Sequence, residues 1–328
     1  MAGLVVIVLF ALVALLGYAI TPDNTPYCNQ QYLELATLKP GSKATFLCLD
    51  PKEDVGGSFF KGYPLPYTSI PIDSCQWKGD SLYAYPVAGA PFTVDCDRVV
   101  EVKERTFWLG TDGYGRDVLS MMIIGSRVSL SVGLIAILIA LLIGITLGAL
   151  AAYYGGWVDN LITWFINVVW SIPTVLLVIA ITFALGKGFW QVFIAVGLTM
   201  WVDIARVVRG QVYSIKEKEY IEAARALGFS TFRTIFRHIL PNITGAIIVI
   251  TASNFASAIL LEAGLSFLGI GVQPPMPSWG TMVKENYCYI LLDNAYLALL
   301  PGLAIMLIVL AFMLIGNGMR DALDIKNR

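Results

Sequence analysis

Six long apolar segments dominate this 328-residue chain and limit what it can fold into. A helix needs roughly 20 consecutive apolar residues to cross the hydrocarbon core of a bilayer. The segments that meet this length are 4–20, 128–154, 162–185, 189–207, 243–268 and 295–316. The fourth reaches Asp203, so its end is the least sharply defined. The pattern predicts an all-α polytopic membrane protein with six transmembrane helices.

The composition excludes several classes of function. Charged residues make up 14% of the chain, against about 25% in a typical soluble domain. A net charge of −1 without a basic stripe argues against nucleic-acid binding. One histidine, His238, and no His/Cys cluster argue against a transition-metal site. The GxxxxGK[ST] phosphate loop is also missing from the sequence. We therefore expect no cofactor on this chain, and any ATP and Mg²⁺ to bind partner subunits.

Lysine and arginine predict the orientation, because they accumulate in short cytoplasmic loops. Seven of them lie in the stretch 206–238 and three follow residue 316, whereas Lys187 and Lys284 are alone in the opposite short loops. The seven are Arg206, Arg209, Lys216, Lys218, Arg225, Arg233 and Arg237; the three are Arg320, Lys326 and Arg328. This bias places the 206–238 loop and both termini in the cytoplasm. The first segment lacks a basic start and a good cleavage site, so we expect a retained helix rather than a signal peptide.

The segment 22–106 differs in composition and falls on the extracytoplasmic side. It is rich in aromatic and strand-forming residues, which predicts a small mixed or β-rich insertion between the first two helices. Four of the five cysteines, Cys28, Cys48, Cys75 and Cys96, lie there, where an oxidising environment preserves disulfides. Four cysteines allow three pairings. We expect one or two disulfides, with unpaired thiols in a loosely folded loop as the alternative.

The cytoplasmic loop 208–241 carries the strongest local pattern. Residues 216–227 favour a helix, Gly228 supplies a left-handed residue that ends it, and Ser230 can cap the next helix. Ala223 and Ala224 leave a low surface that another protein can approach, and Pro241 is expected to end the second helix. The alternative is a solvated connecting loop with ordinary caps.

Several motifs together resemble a known family. Glu222-Ala223-Ala224, then Gly228, then Leu240-Pro241 resembles the EAA signature of permease subunits of ABC importers. The ending Arg-His-x-Leu-Pro-Asn is similar to the dipeptide/oligopeptide group (DppC/OppC-like). Further segments agree with that group: Leu109-Gly110-Thr111-Asp112, Gly115-Arg116-Asp117, Gly264 to Gly271, Pro277-Ser278-Trp279-Gly280 and Arg320 to Asp324. The similarity covers about residues 107–324, whereas relatives have a much shorter segment in place of 22–106.

The resemblance implies a type I permease fold and a role in transport without enzymatic activity of the chain itself. It implies a first helix (1–21) and a five-helix permease core (107–328), while the shift in composition marks 22–106 as an insertion between them. It also implies four kinds of partner in a bacterial inner membrane: a homologous second permease, two ATP-binding subunits, an extracytoplasmic solute-binding protein and a peptide substrate. Residues implied in coupling to the ATPase are Glu222, Ala223, Ala224, Arg225, Gly228, Arg233, Leu240 and Pro241. Alternative cargoes are nickel or a peptide-like toxin.

Candidate residues of the translocation path or an outer gate come from charges near or within the apolar segments. Glu262 lies inside the fifth segment, where an ionisable group is costly and suggests a function; its alternative role is a structural hydrogen bond. Asp112, Arg116 and Asp117 precede the second segment and suit either a gate or lip that meets a binding protein, or an interfacial helix start. A different class, an ion-coupled secondary transporter, calls for inverted repeats, which the sequence does not show convincingly. A membrane-anchored receptor would not need five further segments.

Overall fold

The computed structural model describes residues 1–51, 56–186 and 188–324, which divide into two compact units. One unit contains residues 1–10, 129–273 and 303 onward, and the other contains 11–128 and 274–302. Lys187, Lys326 and Arg328, which contribute to the charge bias, lie outside the described residues. The α-helices are α1 (Ala2–Leu16), α2 (Val118–Tyr154), α3 (Gly156–Trp170), α4 (Thr174–Leu185), α5 (Phe189–Lys216), α6 (Glu219–Ala226), α7 (Thr231–Arg233), α8 (Leu240–Phe267), α9 (Trp279–Asn286) and α10 (Tyr296–Asp324).

Long apolar helices confirm the predicted polytopic architecture. Within the described ranges, five stretches are long and apolar enough to cross a membrane, or six if one bent pair counts as a span. The five are Ala2–Ala19, Val118–Tyr154, Phe189–Lys216, Thr231–Phe267 and Tyr296–Ala322. The second, fourth, fifth and sixth predicted segments belong to helices that extend beyond them, since charged residues such as Arg127, Arg209 and Arg233 lie within these helices.

The third predicted segment is not one straight helix. It consists of α3 and α4, which are bent by 91° at residues 171–173. Pro173 stands immediately before α4, with φ −54° and ψ 124°. A proline lacks the N–H that would continue the helix and disfavours helical geometry in the residue before it. The apolar composition of 162–185 therefore hides a break.

Small residues bring α2 and α5 close together. A Cβ on Gly144 would lie 2.7 Å from Ile204 Cβ, and one on Gly148 would lie 2.5 Å from the Ala205 carbonyl oxygen. Both distances are below normal contact, so only glycine fits at these two positions. This close approach fixes α5, whose C-terminal end leads into the candidate coupling loop.

Five strands form an antiparallel sheet in the order β4-β3-β2-β1-β5. The strands are β1 (Ser42–Leu49), β2 (Thr68–Lys78), β3 (Ser81–Pro86), β4 (Phe92–Asp95) and β5 (Val99–Phe107). Strand β1 is an inner strand, and its Thr45 is paired with Ile72 on one side and Glu104 on the other. The last four residues of β1 are buried, because Leu47 and Leu49 pack in one core and Phe46 packs in another. The β-rich character expected of the insertion is thus present.

Candidate functional site

The predicted two-helix loop, which we call the elbow, spans residues 219–241, and its turn has the geometry that Gly228 and Ser230 predict. Gly228 has φ +76°, the left-handed conformation that ends α6. The Gly228 N–H donates to the Arg225 carbonyl, and the Phe229 N–H donates to the Ala224 carbonyl at 3.1 Å. The Ser230 hydroxyl then accepts from the Arg233 N–H, as a cap of α7. The expected roles of Gly228 and Ser230 in the turn are confirmed.

One face of the elbow is buried within its own compact unit, and the other is exposed. Ile221 and Ala224 are buried, whereas Glu222, Ala223 and Arg225 are exposed. The expectation that both alanines offer a low surface is therefore wrong for Ala224, which faces inward. The helical period explains this, since positions 221 and 224 are three residues apart and share a face.

Exposed apolar side chains accompany these charges, and the sequence reasoning above overlooks them. Leu227 is 74% exposed, Phe232 70% and Phe236 55%. The rings of Phe232 and Phe236 lie 4.2 Å apart, centre to centre. Residues four apart on a helix are neighbours, so the spacing of Phe232 and Phe236 in the sequence could have predicted this contact. An apolar groove of 460 Å³ runs beside them and is also lined by residues of α2, including Ala149 and Tyr154.

Aromatic rings hold the basic side chains of the elbow in place. The Arg225 guanidinium lies 5.0 Å from the centre of the Tyr153 ring, and that of Arg233 lies 5.3 Å from the Phe229 ring. Phe229 in turn stacks on His238. The Glu222 side chain makes no hydrogen bond or salt bridge in the part of the chain that the structure describes. Its carboxylate is thus exposed on a rigid support.

Pro241 does not end the second helix of the elbow. The helix continues from Thr231 to Phe267, and its residues Thr234–Ile239 form a π-helical turn. The Leu240 N–H donates to the carbonyl of Ile235, five residues back. A π turn lets a helix absorb an irregularity without interruption. Leu240 and Pro241 therefore join the elbow directly to the membrane-spanning part of the helix.

Glu262 is fully buried among hydroxyl groups. Its carboxylate accepts from the Ser129 hydroxyl at 3.1 Å and from the Ser266 hydroxyl at 2.8 Å. A path residue needs contact with the cargo, and Glu262 has 0% exposure within this chain. This geometry favours the structural alternative, and the path role remains a prediction.

Asp112 and Arg116 form an internal charged cluster with Glu285, whereas Asp117 lies near Arg105 and Asp23. The Arg116 guanidinium donates to Asp112 at 2.6 Å and also to Glu285, and its side chain is only 7% exposed. Asp117 accepts from the Ser120 N–H at 3.0 Å and from the Ser120 hydroxyl. Burial raises the pKa of Asp117, against the opposing effect of its hydrogen bonds to Ser120. These side chains are buried, which does not suit a lip that meets a partner; a gate role remains untested.

All five cysteines are free thiols in the structure, whereas the sequence predicts one or two disulfides. Cys48 is paired with Ser69 across the sheet, and Cys75 lies six residues beyond Ser69 on β2. Six strand residues span about 20 Å, far more than the roughly 7 Å that a disulfide allows between Cα atoms. Cys28 is buried and donates to the Asp23 carbonyl at 3.0 Å. Burial raises the pKa of Cys28, which keeps this thiol protonated.

No group of three or more His, Cys, Asp or Glu side chains suited to a metal ion occurs among the described residues. The described part of the chain presents an exposed elbow, a buried carboxylate and a buried charged cluster.

Comparisons with known proteins agree with this arrangement. The family model described as "Binding-protein-dependent transport system inner membrane component" matches residues 144–328. The glutathione transport system permease protein GsiD of Pectobacterium atrosepticum is 42% identical over 232 residues, covering 71% of this chain and 77% of that protein. The dipeptide transport system permease protein DppC of Alkalihalophilus pseudofirmus is 44% identical over 219 residues, covering 67% and 72%.

A solved structure shares the fold. The inward-facing MetNI methionine ABC transporter matches with a TM-score of 0.52 and 18% identity, covering 62% of this chain and 96% of that chain. This likeness supports the helical permease architecture.

Proposed function

The chain belongs to the binding-protein-dependent transport system inner membrane components, and on this premise we propose that it is a permease subunit of an ATP-driven peptide importer. The observation that carries the proposal is the 42% identity over 232 residues to a peptide-type permease. The exposed elbow adds physical support, since a membrane protein that is moved by a soluble partner needs a structured surface outside the bilayer.

We propose that the elbow binds in a cleft of an ATP-binding subunit. Glu222, Ala223, Arg225 and Arg233 supply exposed polar contacts, and Leu227, Phe232 and Phe236 supply apolar anchors of the kind that dominate protein interfaces. Gly228 fixes the angle between the two helices of the elbow. ATP and Mg²⁺ bind the partner subunits, and this chain carries out no covalent chemistry.

The proposed assembly contains a homologous second permease, two ATP-binding subunits and an extracytoplasmic solute-binding protein in a bacterial inner membrane. Both termini and the elbow lie in the cytoplasm, following the Lys/Arg bias. The sheet, within the insertion 22–106, lies on the opposite side, and residues 107–328 form the permease core. Closure of the ATP-binding subunits then moves packed helices as rigid bodies between inward-open and outward-open states.

The test is to purify the chain with its partners, reconstitute the complex in proteoliposomes and measure ATP turnover with di- and tripeptides, glutathione and Ni²⁺. We expect peptides to stimulate ATP turnover and to enter the vesicles only when ATP is present. Stimulation by Ni²⁺ alone would assign the alternative cargo. Uptake that follows an ion gradient and is indifferent to ATP would contradict the proposed class of transporter.

A further inference from the structure

The bend between α3 and α4 leaves a cavity among the membrane helices. Its volume is 390 Å³, and it lies among α3, α4, α5 and α8, all within one compact unit. Small-molecule sites in proteins commonly occupy about 300–1,000 Å³. The cavity therefore has room for a small cargo, or for one end of a larger one.

Asp203 of α5 lines this cavity. It lies 14 residues after Phe189, the first residue of α5, and four residues before the end of the apolar segment 189–207. A carboxylate within an apolar segment is costly in lipid and normally faces a water-filled path or a partner. The side chain is exposed, and it forms no hydrogen bond or salt bridge with any residue that the structure describes.

The nearby arginines on the same helix are held by other groups. Arg206 donates to the Asn167 side chain at 3.2 Å, and its guanidinium lies 3.8 Å from the centre of the Trp170 ring. Arg209 donates to both oxygens of Asp159, at 2.5 and 2.7 Å. Asp203 therefore presents a negative charge to the cavity that neither arginine hydrogen-bonds.

Two hydroxyl groups of the cavity wall, those of Thr199 and Ser257, can accept hydrogen bonds from a ligand. The Thr199 hydroxyl donates its proton to the Val196 carbonyl at 2.8 Å, and the Ser257 hydroxyl donates to the Ser253 carbonyl at 3.2 Å. Each hydroxyl has one proton and two lone pairs, so what remains for a ligand is acceptor capacity. A carboxylate beside two such hydroxyls suits a cation with several N–H donors.

We propose that Asp203 binds the α-ammonium group of the peptide cargo as it passes this cavity, with Thr199 and Ser257 accepting its remaining hydrogens. This inference rests on the proposed function and names a residue of the translocation path. Helices α3, α5 and α8 carry two other carboxylates, and both have partners within the chain. Asp159 is paired with Arg209, and Glu262 accepts hydrogen bonds from Ser129 and Ser266.

The test uses the complete complex in proteoliposomes with Asp203→Asn, Asp203→Glu and, as a control, Glu34→Gln, which removes an exposed carboxylate from the segment 22–106. The probes are the peptide that stimulates wild-type ATP turnover most and its N-acetylated form. We expect Asp203→Asn to lower uptake of the free-amine peptide about tenfold, the scale of one lost charge-assisted hydrogen bond. Uptake of the acetylated peptide should change little, Asp203→Glu should restore most of the loss, and Glu34→Gln should behave as wild type.

All variants are measured with the same solute-binding protein, so its preference for one peptide over the other affects every variant equally. If the wild type does not transport the acetylated peptide at all, the loss with the free-amine peptide and its recovery in Asp203→Glu decide the question. Equal losses for both peptides, or unchanged uptake in Asp203→Asn, would overturn the inference. So would loss of the second permease from purified Asp203→Asn complexes, which would show that Asp203 pairs with a partner subunit. If no peptide stimulates the wild type, the proposed function itself fails.

Discussion

Two charged regions of this chain appear equally functional in sequence and differ completely in structure. The elbow carries Glu222, Arg225 and Arg233 on its surface. The cluster of Asp112, Arg116 and Glu285 holds its charges inside, where Arg116 is 7% exposed. Only the first arrangement can offer a charge to another molecule without rearrangement of the chain. Burial therefore separates charges that are accessible to another molecule from charges that pair within the chain.

The two arrangements also differ in what they contribute to stability. Removing one partner of a buried ion pair costs about 3–5 kcal/mol, because the other charge remains buried. An exposed pair contributes about 0–1 kcal/mol. Substitutions in the two regions should thus separate loss of stability from loss of transport.

The largest effect on stability is expected from Arg116→Leu. It leaves two carboxylates, Asp112 and Glu285, without their shared cation, and should lower the free energy of unfolding by about 3–5 kcal/mol. Thermal unfolding in detergent measures this loss. The matched control is Lys43→Leu, which breaks an exposed salt bridge to Glu104 and should cost about 1 kcal/mol or less. Similar losses of stability in Arg116→Leu and Lys43→Leu would show that burial of the charged cluster does not make it more important for stability than an exposed salt bridge.

A smaller effect on stability is expected at Gly228. Its φ of +76° strains any residue with a Cβ by roughly 1–2 kcal/mol, while the space around an added Cβ is open. Gly228→Ala and Gly228→Trp should therefore lose similar stability. If the elbow binds a partner, only tryptophan also obstructs that contact and uncouples ATP hydrolysis from uptake. Equal transport by the two variants would argue against a binding surface here.

Asp117 should give a pH-dependent effect. Burial raises the pKa of its carboxyl in the folded protein, so the folded state holds a proton more tightly than the unfolded state. The stability that this group contributes is fully present below the unfolded pKa of about 3.9. It decreases as pH rises through the folded pKa and is constant above it. In thermal unfolding scans, the stability of wild type relative to Asp117→Asn should fall with rising pH; a constant or rising difference would contradict this.

The smallest effect on stability, with the greatest effect on uptake, is expected from Glu222→Lys. The residue is exposed in the first turn of α6, so reversal of its charge should cost less than about 1 kcal/mol through the helix dipole. Peptide uptake should nevertheless be lost while ATP hydrolysis continues. Glu217→Lys makes the same charge change at an exposed position just before α6 and should retain uptake. Normal transport by Glu222→Lys would contradict a coupling role.

The parts of the fold that depend on local chemistry can be predicted from the sequence. Apolar length predicts the membrane helices, and Gly228 and Ser230 specify the turn within the elbow. Aromatic and strand-forming residues likewise predict the β-rich insertion. Each of these features is determined by residues close together in the sequence or by the composition of one segment.

The remaining features depend on contacts between distant residues. Pro173 is visible in the sequence, yet the uniform apolarity around it obscures the 91° bend. The effect of Pro241 depends on the π turn of Thr234–Ile239, which no residue type specifies by itself. The burial of Ala224 and Arg116 follows from which elements pack against them. Asp203 becomes a candidate only once the cavity beside it is known.

The unbroken helix from Thr231 to Phe267 has a mechanical consequence. Its 37 residues extend for roughly 55 Å at 1.5 Å per residue. A tilt of about 10° around one end of a rod of this length displaces the other end by roughly 9 Å, nearly the diameter of a helix. If a partner rotates the elbow by a few degrees, the opposite end of this helix therefore moves by several ångströms.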